Sequence, residues 1–349
     1  MTSTESASVI QTPHITSTEP ASVLQKPHIT FGIICDLHYA DCDDSYDISK
    51  SRERFSCNAL SLLKNAVNDW KRSADPVAFV LQLGDLIDGK NKHWGEAAVK
   101  KALNTILHPL NSLHVPVYHV IGNHELHNLS RSFLLSSPLN SSLSLNIETS
   151  STRFYCTFLP HPKLRVVVID TYEVSLLGYG DAPEDENYVS AQTLFRKHNK
   201  NEDTNDASGL EGLEKRWVSY NGGVSEKQLL WLSQVLMKAN SKEENVIIIS
   251  HIAVQCQHND NGVCLVWNYN EIMDVIHQYQ CVIGFFAGHE HAGWDCLDEH
   301  GIQHITFQGI TETRPGGNAY ATAHLWDHFL TISGVGRVPS FTIPLQYHI

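Results

Sequence analysis

The sequence predicts an α/β fold, and three observations carry that prediction. Short β-branched or apolar runs recur along the chain, with amphipathic stretches between several of them. Asp, Asn and His gather just past the ends of those runs, often beside glycine. The C-terminal part changes character and reads as consecutive strands joined by turns.

In chain order, Thr2 to Ile15 (TSTESASVIQTPHI) recurs almost unchanged as Thr16 to Ile29 (TSTEPASVLQKPHI). A two-copy polar repeat cannot bury a core of its own, so residues 1–29 are expected to be a disordered extension. Residues 30–349 then form a single catalytic domain. Its predicted strands are Thr30 to Cys35, Val77 to Leu83, Val115 to Ile121, Leu164 to Asp170, Val246 to Ser250 and Cys281 to Ala287. Helical spacing is clear in Arg52 to Lys71 (Phe55, Leu60, Leu63, Val67, Trp70), in Trp94 to Leu107, and in Ser225 to Ala239, which opens on a capping Ser. The closing meander is expected over Ile302 to Gln308, Tyr320 to Leu325 and Phe329 to Val335. Asn128 to Thr152 is rich in Ser and Leu, and Gly178 to Glu214 is a polar insertion longer than a connection needs. The second reads either as a substrate wall or as a solvated acidic excursion.

Composition narrows the function classes. The 349-residue chain is 42% hydrophobic and carries a formal net charge of -13 without a block of Lys and Arg. That argues against nucleic-acid and anionic-membrane binding. No apolar run is long enough to span a bilayer. The first basic residue is Lys26 and no apolar stretch precedes it, so no secretion signal is read. The eight cysteines have no CxxC pairing and are read as reduced thiols of a cytoplasmic protein.

The chemistry lies at the strand ends. Asp36-Leu37-His38 follows the first strand, Gly84-Asp85 with Asp88 the second, Gly122-Asn123-His124-Glu125 the third, His251 a later one, and Gly288-His289-Glu290-His291 the next. Turns at strand C-termini of an α/β sheet converge on one crevice. Asp, Asn and His without thiolates suit Mn, Mg, Fe or Zn rather than a structural zinc knot. Asp36, His38, Asp85, Asn123, His251, His289 and His291 are too many for one ion. Two metals sharing Asp85 as a bridging carboxylate account for the set. Two carboxylates against two divalent ions leave the centre net positive, so an acidic protein gains a local phosphate site.

These motifs resemble the calcineurin-like metallophosphoesterases over Thr30 to Pro339. The resemblance implies a β-sandwich of mixed sheets flanked by helices, with a dimetal site at the strand C-termini. It implies that Asp36, His38 and His291 hold one metal, that Asn123, His251 and His289 hold the other, and that Asp85 touches both. His124 matches the catalytic histidine, which contacts the phosphate or the leaving-group oxygen. Asp88 is followed by Gly89-Lys90, where protein Ser/Thr phosphatases of this superfamily have Arg. Purple acid phosphatases place a ligating Tyr at the position of Asp88, and without a phenolate two divalent ions are expected.

QLGDLIDG (Gln82 to Gly89), RWVSYNGGVSEKQLLWL (Arg216 to Leu232), VCLVWNY (Val263 to Tyr269) and GVGRVP (Gly334 to Pro339) together look like the manganese-dependent ADP-ribose/CDP-alcohol diphosphatases. That narrower resemblance implies two Mn²⁺ ions, with Mg²⁺, Fe²⁺ or Zn²⁺ as alternatives. It implies hydrolysis of the pyrophosphate of ADP-ribose, CDP-choline and other CDP-alcohols; the small-molecule substrate is the expected partner and a monomer the expected state. A cyclic-nucleotide or phospholipid phosphodiesterase would use the same centre, and a non-catalytic scaffold would have no need of the full ligand set. Substrate contacts are expected from Tyr39 and Trp267 by stacking, from Arg54 to phosphate, and from Cys264; Cys35 also lies near the site in sequence. Glu125 and Glu290 are expected to orient neighbours rather than bind metal.

Overall fold

The computed structural model describes residues 26–47, 50–144, 153–255 and 262–349. The chain opens with β1 (Ile29–Ile34), a short ribbon of β2 (Ser45–Tyr46) and β3 (Glu53–Arg54), then β4 (Phe79–Gln82) and β5 (Val117–His119). Strands β6 (Cys156–His161), β7 (Leu164–Val168), β8 (Asn245–Ile249), β9 (Val282–Ala287), β10 (Trp294–Leu297) and β11 (Gln303–Thr306) follow. It closes with β12 (Ala319–Leu325), β13 (Phe329–Gly336) and β14 (Phe341–Pro344). The helices are α1 (Ala59–Arg72), α2 (Glu96–Asn111), α3 (Asn123–Asn128), α4 (Arg131–Leu135), α5 (Ser141–Ser144), α6 (Glu186–His198), α7 (Glu226–Ser241) and α8 (Tyr269–Ile276).

Two six-stranded mixed sheets result, ordered β14-β13-β12-β1-β4-β5 and β10-β11-β9-β8-β7-β6. In the first, β1, β4 and β5 run parallel and β12 to β14 complete the sheet antiparallel. In the second, β7, β8, β9 and β11 are parallel, with antiparallel β6 and β10 on the edges. One hydrophobic core draws on both sheets, and α1 (Leu62, Leu63, Ala66, Val67, Trp70) and α7 (Leu232, Leu236, Ala239) bury their apolar stripes in it. This is the mixed β-sandwich flanked by helices.

Several expectations need correction. The closing strands are not one meander: β11 pairs with β9 and β10 in the second sheet, and only β12 to β14 form the antiparallel run. The reason is the Trp294–Thr306 hairpin, which returns β11 parallel to β9 before the chain crosses to the other sheet. The first helix starts at Ala59 rather than Arg52, because Glu53–Arg54 pairs with Ser45–Tyr46 and Phe55 donates its N–H to Thr311 O. Thr30 is not the first residue of the fold, since Ile29 pairs with Leu325 and the His28 ring bonds Asp327 at 2.6 Å. The rest of the repeat, residues 1–25, lies outside the described residues, as do Cys256 and residues 145–152 of the Ser- and Leu-rich stretch.

The 178–214 stretch carries α6, whose Phe195 is fully buried against Val174, Ala191, Trp217 and Trp267. Among the described residues, the cysteines form no disulfide and no helix is long and apolar enough to cross a membrane.

Candidate metal centre

Strand register brings the ligand-grade turns together. Ile34 lies beside Gln82, and beyond that pair Asp36 N–H donates to Gly84 O and His38 N–H to Asp85 O. In the second sheet Ile249 pairs with Phe286, so that Gly288 N–H reaches His251 O. Leu83 O accepts from His251 Nδ1 at 2.7 Å and stitches the two sheets at the centre.

The backbone there is strained. Asp36, His38, Asp85 and His289 all adopt positive φ, between 47° and 70°, a region that residues with a Cβ rarely enter. Such conformations cost about 1–3 kcal/mol each and persist where surrounding structure over-determines them. Neighbouring glycines make the room. A Cβ on Gly84 would sit 2.2 Å from His251 Nδ1, and one on Gly122 would sit 2.1 Å from Asp85 Oδ1.

Asp85 stands at the middle. Its Oδ2 is 3.2 Å from His38 Nε2 and 3.2 Å from His251 Nε2. Its Oδ1 accepts from His124 N–H at 2.8 Å. Asp36 Oδ1 is 3.9 Å from His38 Nε2 and 3.8 Å from His291 Nε2. Donor atoms of Asp36, His38 and His291 fall within 4.8 Å of one another, and so do those of Asp85, His251 and His289. A third such group joins His38, Asp88 and His124.

The donor set fits divalent cations. Both His38 ring nitrogens, Asp85 Oδ2 and His251 Nε2 are buried without a hydrogen-bond partner. Buried polar atoms left so are costly unless a ligand meets them. Three histidines also have one nitrogen engaged from behind. His251 donates Nδ1–H to Leu83 O, His291 Nδ1 meets Glu312 Oε1 at 2.9 Å, and His289 Nε2 meets Asn221 Oδ1 at 2.8 Å. Outer partners of this kind fix tautomer and ring orientation in metal-binding histidines.

The electrostatics of the metal-free centre follow from these contacts. Burial opposes charge on His251, yet Asp85 outweighs it and pushes the imidazole up to about 9. His38 is likewise held well above the ordinary range, burial being outweighed by Asp85, Asp36 and Asp88. Asp85 is driven well below the carboxylate range, against its burial, by His251, His124 and His38. Here protons do the neutralising that cations would do.

His124 sits differently. Gly89 N–H donates to its Nδ1 at 2.7 Å, and burial together with His38 lowers the imidazole to about 3. Glu125 is structural: its carboxylate accepts from the N–H groups of Asp85 at 2.9 Å, Leu86 at 2.7 Å and Gly122 at 2.9 Å, tying the second and third turns together.

The centre opens into a cleft of about 610 Å³. Its lining includes Arg52, Arg54 and Lys90 together with Asp47 and Glu290, and also Tyr220, Val263, Cys264 and Asn205; Arg52 is paired with Glu290 and Glu312. Arg54 Nε is buried and makes no hydrogen bond. Glu290 takes Arg52 at 2.6 Å and the Cys264 thiol at 3.4 Å.

Two expected substrate contacts lie elsewhere. Trp267 is 2% exposed and packs on Trp217 with ring centroids 5.2 Å apart, so it belongs to the satellite core and not to the cleft. Tyr39 lines a separate hollow with Trp94 and Lys101, because its backbone pairs with Ile87 and turns the ring away. Cys35 is a core thiol bonded to Phe307 O. Sequence reasoning gives no role to Tyr172, Tyr220 or Asn221, and Asp88, quoted there with Asp85, joins the group of His38 and His124; Tyr172 follows a strand end by the same logic as the ligands, and the YNGG run is visible without an assigned role.

Comparison with known proteins agrees with this geometry. The calcineurin-like phosphoesterase family pattern matches residues 29–293. The manganese-dependent ADP-ribose/CDP-alcohol diphosphatase of Danio rerio is 40% identical over 320 residues, covering 90% of this chain and 97% of its own. That of Mus musculus is 37% identical over 317 residues, covering 89% and 91%, and that of Arabidopsis thaliana 35% over 312 residues, covering 89% and 95%. The crystal structure of a dimetal phosphatase from Danio rerio superposes with a TM-score of 0.86 at 39% identity, covering 92% of this chain and 100% of that one. With the sandwich, the converging turns and these likenesses together, the chain belongs to the calcineurin-like phosphoesterase family.

Proposed function

We propose that this chain is a Mn²⁺-dependent diphosphatase. It cleaves the internal pyrophosphate of ADP-ribose and of CDP-alcohols such as CDP-choline, releasing a nucleoside monophosphate and a phosphorylated sugar or alcohol. The observation that carries the reading is the pair of carboxylate–histidine clusters joined by Asp85 in a cleft that Arg54 and Lys90 also line. The activity named for the Danio rerio, Mus musculus and Arabidopsis thaliana relatives supports the substrate class.

Asp36, His38 and His291 would hold one ion, Asn123, His251 and His289 the other, and Asp85 both. When bound, such ions polarise phosphoryl oxygens and lower the pKa of water. The chain's own residues do the rest. The Gly89 hydrogen bond leaves the His124 proton on Nε2, from which it donates to a phosphoryl or leaving oxygen. Arg54 and Lys90 offer charge to the phosphate that is not attacked. Cys264 lines the same cleft and serves as a substrate contact.

The cytoplasm is the proposed compartment, consistent with the absence of a disulfide among the described residues. A monomer without nucleic-acid or membrane partners suits the net charge of -13. Chromatography of products tests the reading: chelated protein is inert, Mn²⁺ restores activity, and CDP-choline yields CMP and phosphocholine. Release of inorganic phosphate alone would overturn it.

A further inference from the structure

The YNGG run joins the cleft wall to the metal centre through Asn221. This side chain is fully buried and all its hydrogen-bonding groups near the centre are used. Nδ2 donates to Arg216 O at 2.9 Å and to Val263 O at 2.6 Å, and Oδ1 faces His289 Nε2 at 2.8 Å. Two carbonyl acceptors on Nδ2 fix which way the amide points. His289 must therefore carry its proton on Nε2, which leaves the Nδ1 lone pair for a cation.

Of the two carbonyls, that of Val263 belongs to the cleft lining beside Cys264, and that of Arg216 lies two residues past the 178–214 stretch. The adjacent Tyr220 meets the centre through Tyr172. Its carbonyl lies 3.0 Å from the Tyr172 hydroxyl, which is 3.3 Å from Asn123 Oδ1. Thus Tyr172 and Asn221 stand behind Asn123 and His289, the two residues assigned with His251 to one ion, and the Tyr220 carbonyl shares the Tyr172 hydroxyl proton with Asn123.

We propose that Asn221 is a positioning residue with two separable functions: its Oδ1 sets the free ring nitrogen of His289 for one metal site, and its Nδ2 holds the Val263 segment of the cleft, with the Arg216 turn, beside that ligand. This rests on the two-ion assignment above. A carboxamide is the group the position requires: a carboxylate keeps the acceptor for His289 but presents oxygen to two carbonyls, and an alanine loses both functions.

The test uses the full chain, with Mn²⁺ binding followed by the electron paramagnetic resonance of free Mn²⁺ in the absence of substrate. Asn221→Ala is expected to weaken one of two Mn²⁺ sites about 10- to 100-fold and leave the other unchanged. Asn221→Asp is expected to keep both sites and to raise KM for ADP-ribose while kcat changes little. The proposal is overturned if Asn221→Ala binds both ions like wild type, or if the Asp and Ala variants lose Mn²⁺ equally, which marks a merely structural role. It is also overturned if Asn221→Asp leaves KM unchanged. Circular dichroism checks folding, and if Asn221→Ala does not fold, loss of a Mn²⁺ site in Asn221→Asp is itself decisive against. Because the binding arm needs no substrate, a wild-type protein inactive on ADP-ribose would fail the diphosphatase reading and leave the comparison of Mn²⁺ sites standing.

Discussion

Gly89 donates its backbone N–H to Nδ1 of His124 at 2.7 Å, which places the imidazole proton on Nε2. The proposed reading makes His124 a neutral donor rather than a ligand, although its own backbone N–H bonds Asp85 Oδ1. His124→Ala is expected to retain two Mn²⁺ per chain and its melting temperature while kcat falls about 10²- to 10⁴-fold. Metal analysis beside steady-state kinetics checks this. Loss of an ion would make His124 a ligand.

Asp85 behaves otherwise, since one oxygen faces both His38 and His251 at 3.2 Å. Asp85→Asn removes the shared charge, and bound Mn²⁺ is expected to fall at both sites together. Retention of one ion at wild-type affinity would show that the carboxylate serves a single site.

Metal affinity should depend on pH. Without metal, His251 holds its proton up to about 9 and His38 well above the ordinary range, burial being outweighed by Asp85 in both. Cations must displace those protons, so affinity rises with pH below those values, by up to about tenfold per unit for each proton released, and levels off once they are passed. Mn²⁺ isotherms from pH 6.5 to 8 under argon read the slope. A flat response would mean that the histidines are already neutral.

Phe195 anchors the excursion. It is fully buried against Trp217 and Trp267, so Phe195→Ala should cost about 3–5 kcal/mol in urea unfolding. A loss below about 1 kcal/mol would place α6 outside the cooperative fold.

These residues also show what the sequence could and could not disclose. The strand-end Asp, Asn and His positions were legible because parallel strands deliver their C-terminal turns to one edge, and Gly84 and Gly122 mark where side chains crowd. Trp267 was not, because its burial is decided by Phe195 and Trp217, distant along the chain. Tyr39 was misplaced since a single backbone bridge to Ile87 sets its direction. The sheet of β11 depends on a parallel pairing with β9, which alternation within Ile302 to Gln308 does not encode. Asn221 stood inside a recognised run, but its role needed the carbonyls of Arg216 and Val263, which only tertiary structure supplies.

The central claim concerns the bond that is cut. A metal pair attracts any phosphoester, so the proposed preference for a pyrophosphate is assigned to Arg54 and Lys90, which line the cleft and would meet a second, neighbouring phosphate. The most direct measurement is kcat/KM of the Mn²⁺-loaded full chain for ADP-ribose, CDP-choline and cyclic AMP under one set of conditions. The account expects either diphosphate to exceed cyclic AMP by at least about 100-fold, a difference near 2.7 kcal/mol in transition-state binding. Cyclic AMP turned over as efficiently as either diphosphate would contradict it and make the protein a phosphodiesterase.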